Sequence, residues 1–320
     1  MRKNPVLIIA GPTASGKSAL AIEAAKAFNG VVLNCDAMQI YKDIPIIAAT
    51  PDEKEKKQVE HRLFELYDCA KRGNVVEWLD LCVSEIKKLW SENRLPVVVG
   101  GTGFYIDALL SGVTPIPEVP KQVREKIRIR LQENGLGSLY KYLLSVDEIT
   151  ALKIGANDKT RITRALEIYE YTGIKVSDWY KKPLIKKLPE ADFCVVKIMP
   201  SIEEIAERCK MRLDKMVFEL DVIKEIETLV KRNLPEDLPA MKALGVPELS
   251  RFVRGETSLE EALDLAKLHT RQYAKRQRTW LKNKLTADIT FTKPYREQSE
   301  YLQDIKNLIL FDKLTIIGYN

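Results

Sequence analysis

Residues 11–18 read GPTASGKS and constrain the fold more than any other stretch of the chain. An apolar run precedes them and a helical pattern follows, as in the strand, loop and helix of the phosphate-binding pattern GxxxxGKS/T. In such a P-loop, backbone N–H groups and the N-terminus of the helix hold phosphate oxygens. The lysine reaches the terminal phosphate and the serine hydroxyl can hold Mg²⁺. The stretch predicts a phosphate site with Lys17 and Ser18 in these roles, and it leaves the phosphate compound open.

Short apolar runs that are typical of buried strands occur five times, and helical patterns separate most of them. The runs are residues 6–10, 31–34, 96–99, 193–198 and 289–292. This alternation predicts an α/β fold, a P-loop core whose largely parallel sheet is flanked by helices. Between the third and fourth runs the patterns are helical only. We therefore predict a catalytic core of residues 1–115 and 191–320 and an all-helical insertion domain of residues 116–190.

The 320-residue chain carries 51 basic and 45 acidic residues, a net charge of +6. This excess allows a nucleic-acid partner without requiring one. No apolar run approaches the roughly 20 residues that a membrane-spanning helix needs, and the run before the P-loop does not fit a signal peptide. The five cysteines form no CxxC pair, so we expect reduced thiols. We expect a cytoplasmic protein without membrane contact, and nothing demands more than a monomer.

Two further segments follow predicted strands. Asp36, in NCDAMQIY, lies where a strand ends, the usual place for functional residues in an open parallel sheet. Its carboxylate can ligate Mg²⁺, act as a general base or cap the next helix. The segment VVVGGTGFY also runs from a strand into a glycine-rich turn. A standard P-loop ATPase or kinase has an Asp there for its metal ion, so this turn argues against ordinary ATP hydrolysis.

Basic side chains recur at helical spacing near the C-terminal end of the core. The stripe consists of Lys267, Arg271, Lys275, Arg278 and Lys282. The lack of acidic residues from 265 to 286 favours contact with phosphate or nucleic acid over a solvated face. Arg208 and Arg212 are four residues apart in another helical pattern, after the fourth strand. They can clamp a pyrophosphate or form ion pairs with Glu203, Glu204 or Glu207.

Six segments together resemble the tRNA dimethylallyltransferase family, in order and approximate spacing, over residues 6–283. They are GPTASGKS, NCDAMQIY, PVVVGGTGFY, NDKTRITRALEIYEYTG, RCKMRLDKM and TRQYAKRQRTW. The resemblance implies transfer of a dimethylallyl group from dimethylallyl diphosphate to N6 of an adenosine. That adenosine lies immediately 3′ of the anticodon in tRNAs that read codons beginning with U. The P-loop would then hold the diphosphate of a prenyl donor instead of ATP, which fits the missing Asp.

The resemblance also implies roles for individual residues. The catalytic residues are Asp36 as general base, Thr13 at the bridging oxygen of the donor, and Thr102. Diphosphate is held by Gly11, Pro12, Thr13, Ala14, Ser15, Gly16, Lys17, Ser18, Arg208 and Arg212. tRNA is bound by Asp36, Ala37, Met38, Gln39, Thr102, Arg124, Thr160, Arg161, Ile162, Thr163, Arg164, Lys275 and Arg278. Mg²⁺, the expected cofactor, is placed on Ser18.

The sequence departs from the family pattern mainly on the tRNA and adenine side. Ala37 stands where the family usually has Ser, residues 46–51 replace Ile-Gly-Thr-Ala-Lys-Pro, and Gly245-Val246-Pro247 replaces Gly-Tyr-Lys or Gly-Tyr-Arg. Three other functions stay open. The chain could prenylate free adenine nucleotides, although the insertion and the basic helix argue against it. It could be a nucleoside kinase that uses ATP, or a non-catalytic tRNA-binding relative.

Overall fold

In the computed structural model, which describes residues 4–295 and 299–310, six strands form one sheet in the order β3-β2-β4-β1-β5-β6. Each neighbouring pair is parallel. The strands are β1 (Pro5–Ala10), β2 (Gly30–Asn34), β3 (His61–Arg62), β4 (Leu95–Gly100), β5 (Asp192–Ile198) and β6 (Ile289–Phe291). Ala10 of β1 is in register with Gly100 of β4. The P-loop and the glycine-rich turn therefore begin side by side at the carboxyl edge of the sheet.

The α/β prediction is confirmed, and each of the five predicted runs coincides with a strand. Every residue of β4 and all but the first of β1 are buried. Strands that are covered on both faces are apolar along their whole length, which is why the runs could be recognised. The two-residue strand β3 was not predicted, because two residues are too few to form a pattern.

Helices flank the sheet, and further helices occupy the long stretches between β4 and β5 and between β5 and β6. In chain order they are α1 (Lys17–Ala27), α2 (Glu53–Lys56), α3 (Val75–Ser91), α4 (Gly103–Ser111), α5 (Lys121–Val146), α6 (Glu148–Ile154), α7 (Lys159–Thr172), α8 (Val176–Trp179), α9 (Ile202–Phe218), α10 (Val222–Lys231), α11 (Val246–Val253), α12 (Leu259–Lys284) and α13 (Ser299–Leu310). Among the described residues, no helix combines the length and apolar character of a membrane span.

Two helices that reach the site begin at a capping box. At α9 the Ser201 hydroxyl accepts from the Glu204 N–H, and the Glu204 carboxylate accepts from the Ser201 N–H. Ser258 and Glu261 make the same pair at α12. Each box satisfies two N–H groups that a helix start otherwise leaves without partners. The sequence thus sets where both helices start.

The described residues divide into two compact units. One comprises residues 4–110, 187–295 and 299–310, with the sheet and a core built on side chains such as Leu7, Leu20 and Val97. The other is Ser111–Lys186, whose regular structure is helical apart from one bridge between Val113 and Ile185. The insertion predicted from the sequence covers residues 116–190. That the helical unit contacts tRNA stays a prediction.

Candidate active site

The P-loop connects the end of β1 to the start of α1. Ala14 (φ 61°) and Gly16 (φ 87°) adopt the left-handed conformation, which turns successive backbone N–H groups into a concave anion site. The buried Pro12 carbonyl accepts from the Ser15 N–H at 3.3 Å and from Lys17 Nζ at 3.3 Å. The Ser15 hydroxyl is buried without a hydrogen-bond partner among the described residues. The loop has the shape of a phosphate cradle, and it holds a polar atom that a ligand oxygen can satisfy.

Two arginines of α9 reach the same loop. Arg208 Nε donates to the Ala14 carbonyl at 2.7 Å, and Arg212 donates to the Thr13 hydroxyl. Between them, Cys209 packs with Ile205, Ala274 of α12 and Ala14 in a small apolar cluster. The alternative ion pairs to nearby glutamates are absent from the described contacts, and Glu204 is engaged in its capping box. The arginines are therefore placed to act on a phosphate group.

Burial makes the loop strongly receptive to an anion. It lowers the pKa of Lys17 to about 8, with nearby Arg212 acting in the same direction and Asp36 opposing it. Burial also lowers the pKa of Arg212. Both shifts mean that the cations lack the solvation they would have in water. A bound diphosphate would place negative charge next to these two poorly solvated cations.

The turn that follows β2 holds Asp36 beside this loop. The fully buried Asn34 accepts from the Asp36 N–H at 2.8 Å through Oδ1 and donates to the Leu63 carbonyl at 3.1 Å through Nδ2. Asp36 Oδ1 accepts from the Met38 N–H at 2.9 Å, within a turn and not at a helix start. The capping alternative is thus wrong. Asp36 is half-buried and near enough to raise the pKa of Lys17.

Thr102 holds the same turn from the end of β4, because its hydroxyl accepts from the Ala37 N–H at 3.0 Å. Gln39, further along, donates through Nε2 to the Ala49 carbonyl at 2.6 Å and the Ala48 carbonyl at 3.2 Å. Gln39 therefore fixes the segment in which the sequence departs from the family pattern. Glu225 of α10 accepts from two N–H groups of that segment, at 2.8 and 2.9 Å.

The glycine-rich turn after β4 allows close packing. A Cβ on Gly100 would lie 2.0 Å from the Cys35 carbonyl oxygen. On Gly101 it would lie 2.4 Å from Gln277 Nε2, and on Gly103 2.4 Å from the Trp280 ring. Gln277 also accepts from the Thr13 N–H at 2.9 Å and donates to the Gly101 carbonyl at 2.9 Å. Helix α12 thus docks directly onto both turns, a role for Gln277 that the sequence analysis missed.

The predicted basic stripe on α12 is only partly right. Lys267 forms an ion pair with Asp214 of α9 at 2.7 Å, and Arg278 Nε donates to the Pro200 carbonyl at 3.1 Å. Lys275 is exposed and lines a cavity of about 540 Å³ with Arg276, Lys284 and Trp280 among others. The acidic partner of Lys267 comes from another helix, so the local lack of acidic residues could not reveal it. Arg278 Nε helps to pack α12, the cavity includes the exposed Lys275, Arg276 and Lys284, and the stripe residues Arg271 and Lys282 are exposed outside its lining.

The candidate tRNA-binding residues of the helical unit lie on its surface with one exception. Ile162 is fully buried in the core of this unit, so its side chain packs there and cannot contact tRNA. Exposed ion pairs hold three others: Arg124 with Glu118, Arg161 with Asp158 and Arg164 with Glu167. Exposed pairs contribute little free energy, so these arginines can exchange a carboxylate for a phosphate. Thr160 is exposed, and the Thr163 hydroxyl donates to the Lys159 carbonyl at 2.9 Å.

The described residues contain no group of three His, Cys, Asp or Glu side chains that could hold a metal ion. Ser18, half-buried in the first turn of α1, is the hydroxyl that the P-loop pattern assigns to Mg²⁺. Mg²⁺ commonly binds through one or two protein groups, water and substrate phosphates. The donor set here fits that mode and does not fit a metal ion held by protein ligands alone.

The model of the IPP transferase family matches residues 39–284. The chain belongs to this family. The tRNA dimethylallyltransferase of Zymomonas mobilis is 40% identical over 299 residues, which cover 91% of this chain and 94% of the relative. The tRNA dimethylallyltransferase of Rickettsia conorii is 36% identical over 306 residues, or 96% of this chain and 84% of the relative. The resemblance found in the sequence is confirmed.

Solved structures agree with this assignment. The tRNA isopentenylpyrophosphate transferase of Bacillus halodurans matches with a TM-score of 0.70 and 28% identity, over 99% of this chain and 100% of that one. A eukaryotic dimethylallyltransferase acting on tRNA matches with a TM-score of 0.75 and 29% identity, over 87% of this chain and 69% of that one. The fold described above is the fold of this family.

Proposed function

We propose that the chain is a tRNA dimethylallyltransferase. It transfers the dimethylallyl group of dimethylallyl diphosphate to N6 of the adenosine that follows the anticodon in tRNAs reading codons that begin with U. One observation carries the proposal: Lys17, Arg208 and Arg212 converge on the P-loop beside Asp36, whose turn Thr102 holds in place. A cationic cradle next to a carboxylate suits a reaction that releases diphosphate and a proton.

The acceptor amine needs help to react. The lone pair of the adenine N6 is delocalised into the ring, so N6 becomes a good nucleophile only as it loses a proton. Asp36 takes that proton at its carboxylate while the bond from N6 to the dimethylallyl carbon forms. The bond between that carbon and the diphosphate oxygen breaks at the same time, and its electron pair leaves with the diphosphate.

The P-loop stabilises the leaving group. The protein itself engages the N–H groups of Gly11, Thr13 and Ser15, so the N–H groups of residue 14 and of residues 16–18 are the ones offered to the diphosphate. Lys17 and the two arginines of α9 offset the charge that grows on it. Thr13, which Arg212 holds through its hydroxyl, contacts the bridging oxygen. Ser18 would hold Mg²⁺ together with diphosphate oxygens, and the bound ion would neutralise further charge there.

The acceptor is tRNA. An adenine stacked in an anticodon loop reaches a recessed donor only if it leaves the stack. The turn of residues 36–39 and Thr102 would then receive the base. The exposed Arg124, Arg161 and Arg164, and the basic cavity around Lys275, would bind backbone phosphates. We expect this reaction in the cytoplasm, and one chain supplies every residue named here.

A direct test is to incubate the chain with tRNA that lacks the modification, dimethylallyl diphosphate and Mg²⁺, and to analyse the nucleosides by mass. We expect N6-(dimethylallyl)adenosine from the wild-type chain. Asp36→Ala should bind the tRNA with unchanged affinity and form product more slowly by orders of magnitude. Product on AMP but none on tRNA would indicate a free-nucleotide prenyltransferase. Phosphate transfer from ATP to a nucleoside would indicate a kinase. Binding of tRNA without product would indicate a non-catalytic relative.

A further inference from the structure

Gln277 joins three segments that are far apart along the chain. Its side chain is buried, with 7% exposed. The carboxamide oxygen accepts from the Thr13 N–H, 264 residues away, at 2.9 Å. The carboxamide nitrogen donates to the Gly101 carbonyl, 176 residues away, at 2.9 Å. Both ends of one buried amide are therefore used, one on the P-loop and one on the glycine-rich turn.

The glycine at position 101 leaves room for this arrangement. Any side chain at position 101 would place its Cβ 2.4 Å from Gln277 Nε2, so the amide approaches the backbone where glycine leaves room. The Thr13 N–H is bonded to Gln277 and cannot also bind a phosphate oxygen. Gln277 thus contributes to the geometry of the P-loop without being a phosphate ligand.

The two bonds connect the donor side of the site to the acceptor side. Thr13 lies on the donor side, with its hydroxyl held by Arg212. Gly101 precedes Thr102, whose hydroxyl accepts from the Ala37 N–H beside Asp36. Gln277 and Thr102 together therefore link the P-loop to the Asp36 turn.

We propose that Gln277 is a positioning residue that sets the separation of the diphosphate group from the general base. The inference rests on the proposed function, because it assumes that Thr13 contacts the donor and that Asp36 accepts the proton. Reacting groups must be held within a few tenths of an ångström, and a displacement of about 1 Å can cost about 10²-fold in rate. Losing Gln277 should therefore slow the chemical step more than it weakens the binding of either substrate.

The experiment compares wild type with Gln277→Met, which keeps the volume and removes both hydrogen bonds. Single-turnover rates at saturating tRNA and dimethylallyl diphosphate are measured, together with the Kd of each substrate and thermal unfolding. Gln303→Met is the matched control, since Gln303 is exposed on α13. We expect the single-turnover rate of Gln277→Met to fall by about 10²-fold, both Kd values to stay within about threefold, and the control to match wild type.

A second variant, Gln277→Glu, separates a hydrogen-bonding role from a merely structural one and serves if Gln277→Met does not fold. A protonated carboxyl can accept from the Thr13 N–H and donate to the Gly101 carbonyl. An ionised carboxylate has no proton to donate and would place an acceptor oxygen against that carbonyl. The neighbouring Tyr273 has a pKa raised by burial to about 12 and stays neutral. The charges that act on Tyr273 are Asp36 and Arg276, and Lys17 has a pKa of about 8, so each rate is compared with wild type at the same pH. The rate of Gln277→Glu relative to wild type should be lowest where the new carboxyl is ionised and should rise as it is protonated.

The outcomes are distinct. Wild type without prenylated adenosine contradicts the proposed function itself. Wild type with product, and Gln277→Met equally fast, contradicts only the positioning role. So does a variant whose slower rate is matched by a weaker Kd, or a Gln277→Glu chain that is as fast as wild type at a pH of about 9, where its carboxyl is ionised.

Discussion

Two strands at the centre of the sheet, β1 and β4, each end in a glycine-rich turn that leads into a helix, and Gly16 in the first turn is needed for a different reason from the glycines of the second. Gly16 of the P-loop is required by its own backbone, which has φ of 87°. Gly100, Gly101 and Gly103 are required by their neighbours, because a Cβ on any of them would lie within 2.4 Å of another atom. Similar composition therefore gives an anion cradle in one turn and a docking platform for α12 in the other.

The largest effect is expected when a positive charge of the P-loop is removed. Lys17→Met should lower turnover by about 10²–10³-fold, the usual cost of removing one group that stabilises developing charge. The fold should survive, because burial disfavours the charged ammonium of Lys17 and methionine replaces it with an uncharged side chain. Turnover and thermal unfolding check this prediction. Turnover within tenfold of wild type would show that Lys17 does not face the diphosphate.

In the turn after β4, replacing a glycine should lower stability, and a second substitution in α12 should relieve part of that loss. Gly103→Ala should lower the free energy of unfolding by about 1–3 kcal/mol, because the new methyl group collides with the Trp280 ring. In the double variant with Trp280→Leu the total loss should be smaller than the sum of the two single losses. Denaturant unfolding of the four chains measures this coupling. Additive losses would contradict the packing role of Gly103.

The P-loop should give the opposite result. Gly16→Ala should cost about 1–2 kcal/mol, because an L-residue is strained at this positive φ. The atoms nearest the new Cβ are the backbone N and O of Tyr295, at 3.0 Å. Truncating the Tyr295 side chain therefore should not relieve the strain, and the same double-mutant analysis should give no coupling. If Tyr295→Ala restored the lost stability, Gly16 would be required by its neighbours, as the glycines after β4 are.

The smallest effect is a dependence of donor affinity on pH. Below a pKa of about 8, Lys17 is protonated in the free chain, and the bound diphosphate favours that form. Above it, binding must take up a proton, so affinity for dimethylallyl diphosphate should fall by up to about tenfold per pH unit. Phosphate groups, with a second pKa near about 6, are already ionised there. Calorimetric titration should show this decline in wild type and none in Lys17→Met.

The sequence predicts what local pattern determines and misses what distant segments determine. Buried parallel strands are apolar throughout, so five of six strands were found, and the P-loop spacing identified Lys17. The spacing of Arg208 and Arg212 fitted both a phosphate clamp and ion pairs with glutamates, since a helix face alone does not reveal its neighbour. Gln277 was assigned no role, because its two partners lie 264 and 176 residues away.

The position of β1 has a consequence for how the protein is made. β1 precedes the other described strands in the chain, yet it lies between β4 and β5 in the sheet, and β5 follows the whole helical unit. The pairing of β1 with β5 must therefore wait until β5, residues Asp192–Ile198, has been synthesised, although β1 can pair with β4 earlier. The contact between Thr13 and Gln277 forms later still. The P-loop precedes α12 in the chain and completes its surroundings only after α12 is made, so a nascent chain should hold tRNA or diphosphate only weakly before α12 emerges.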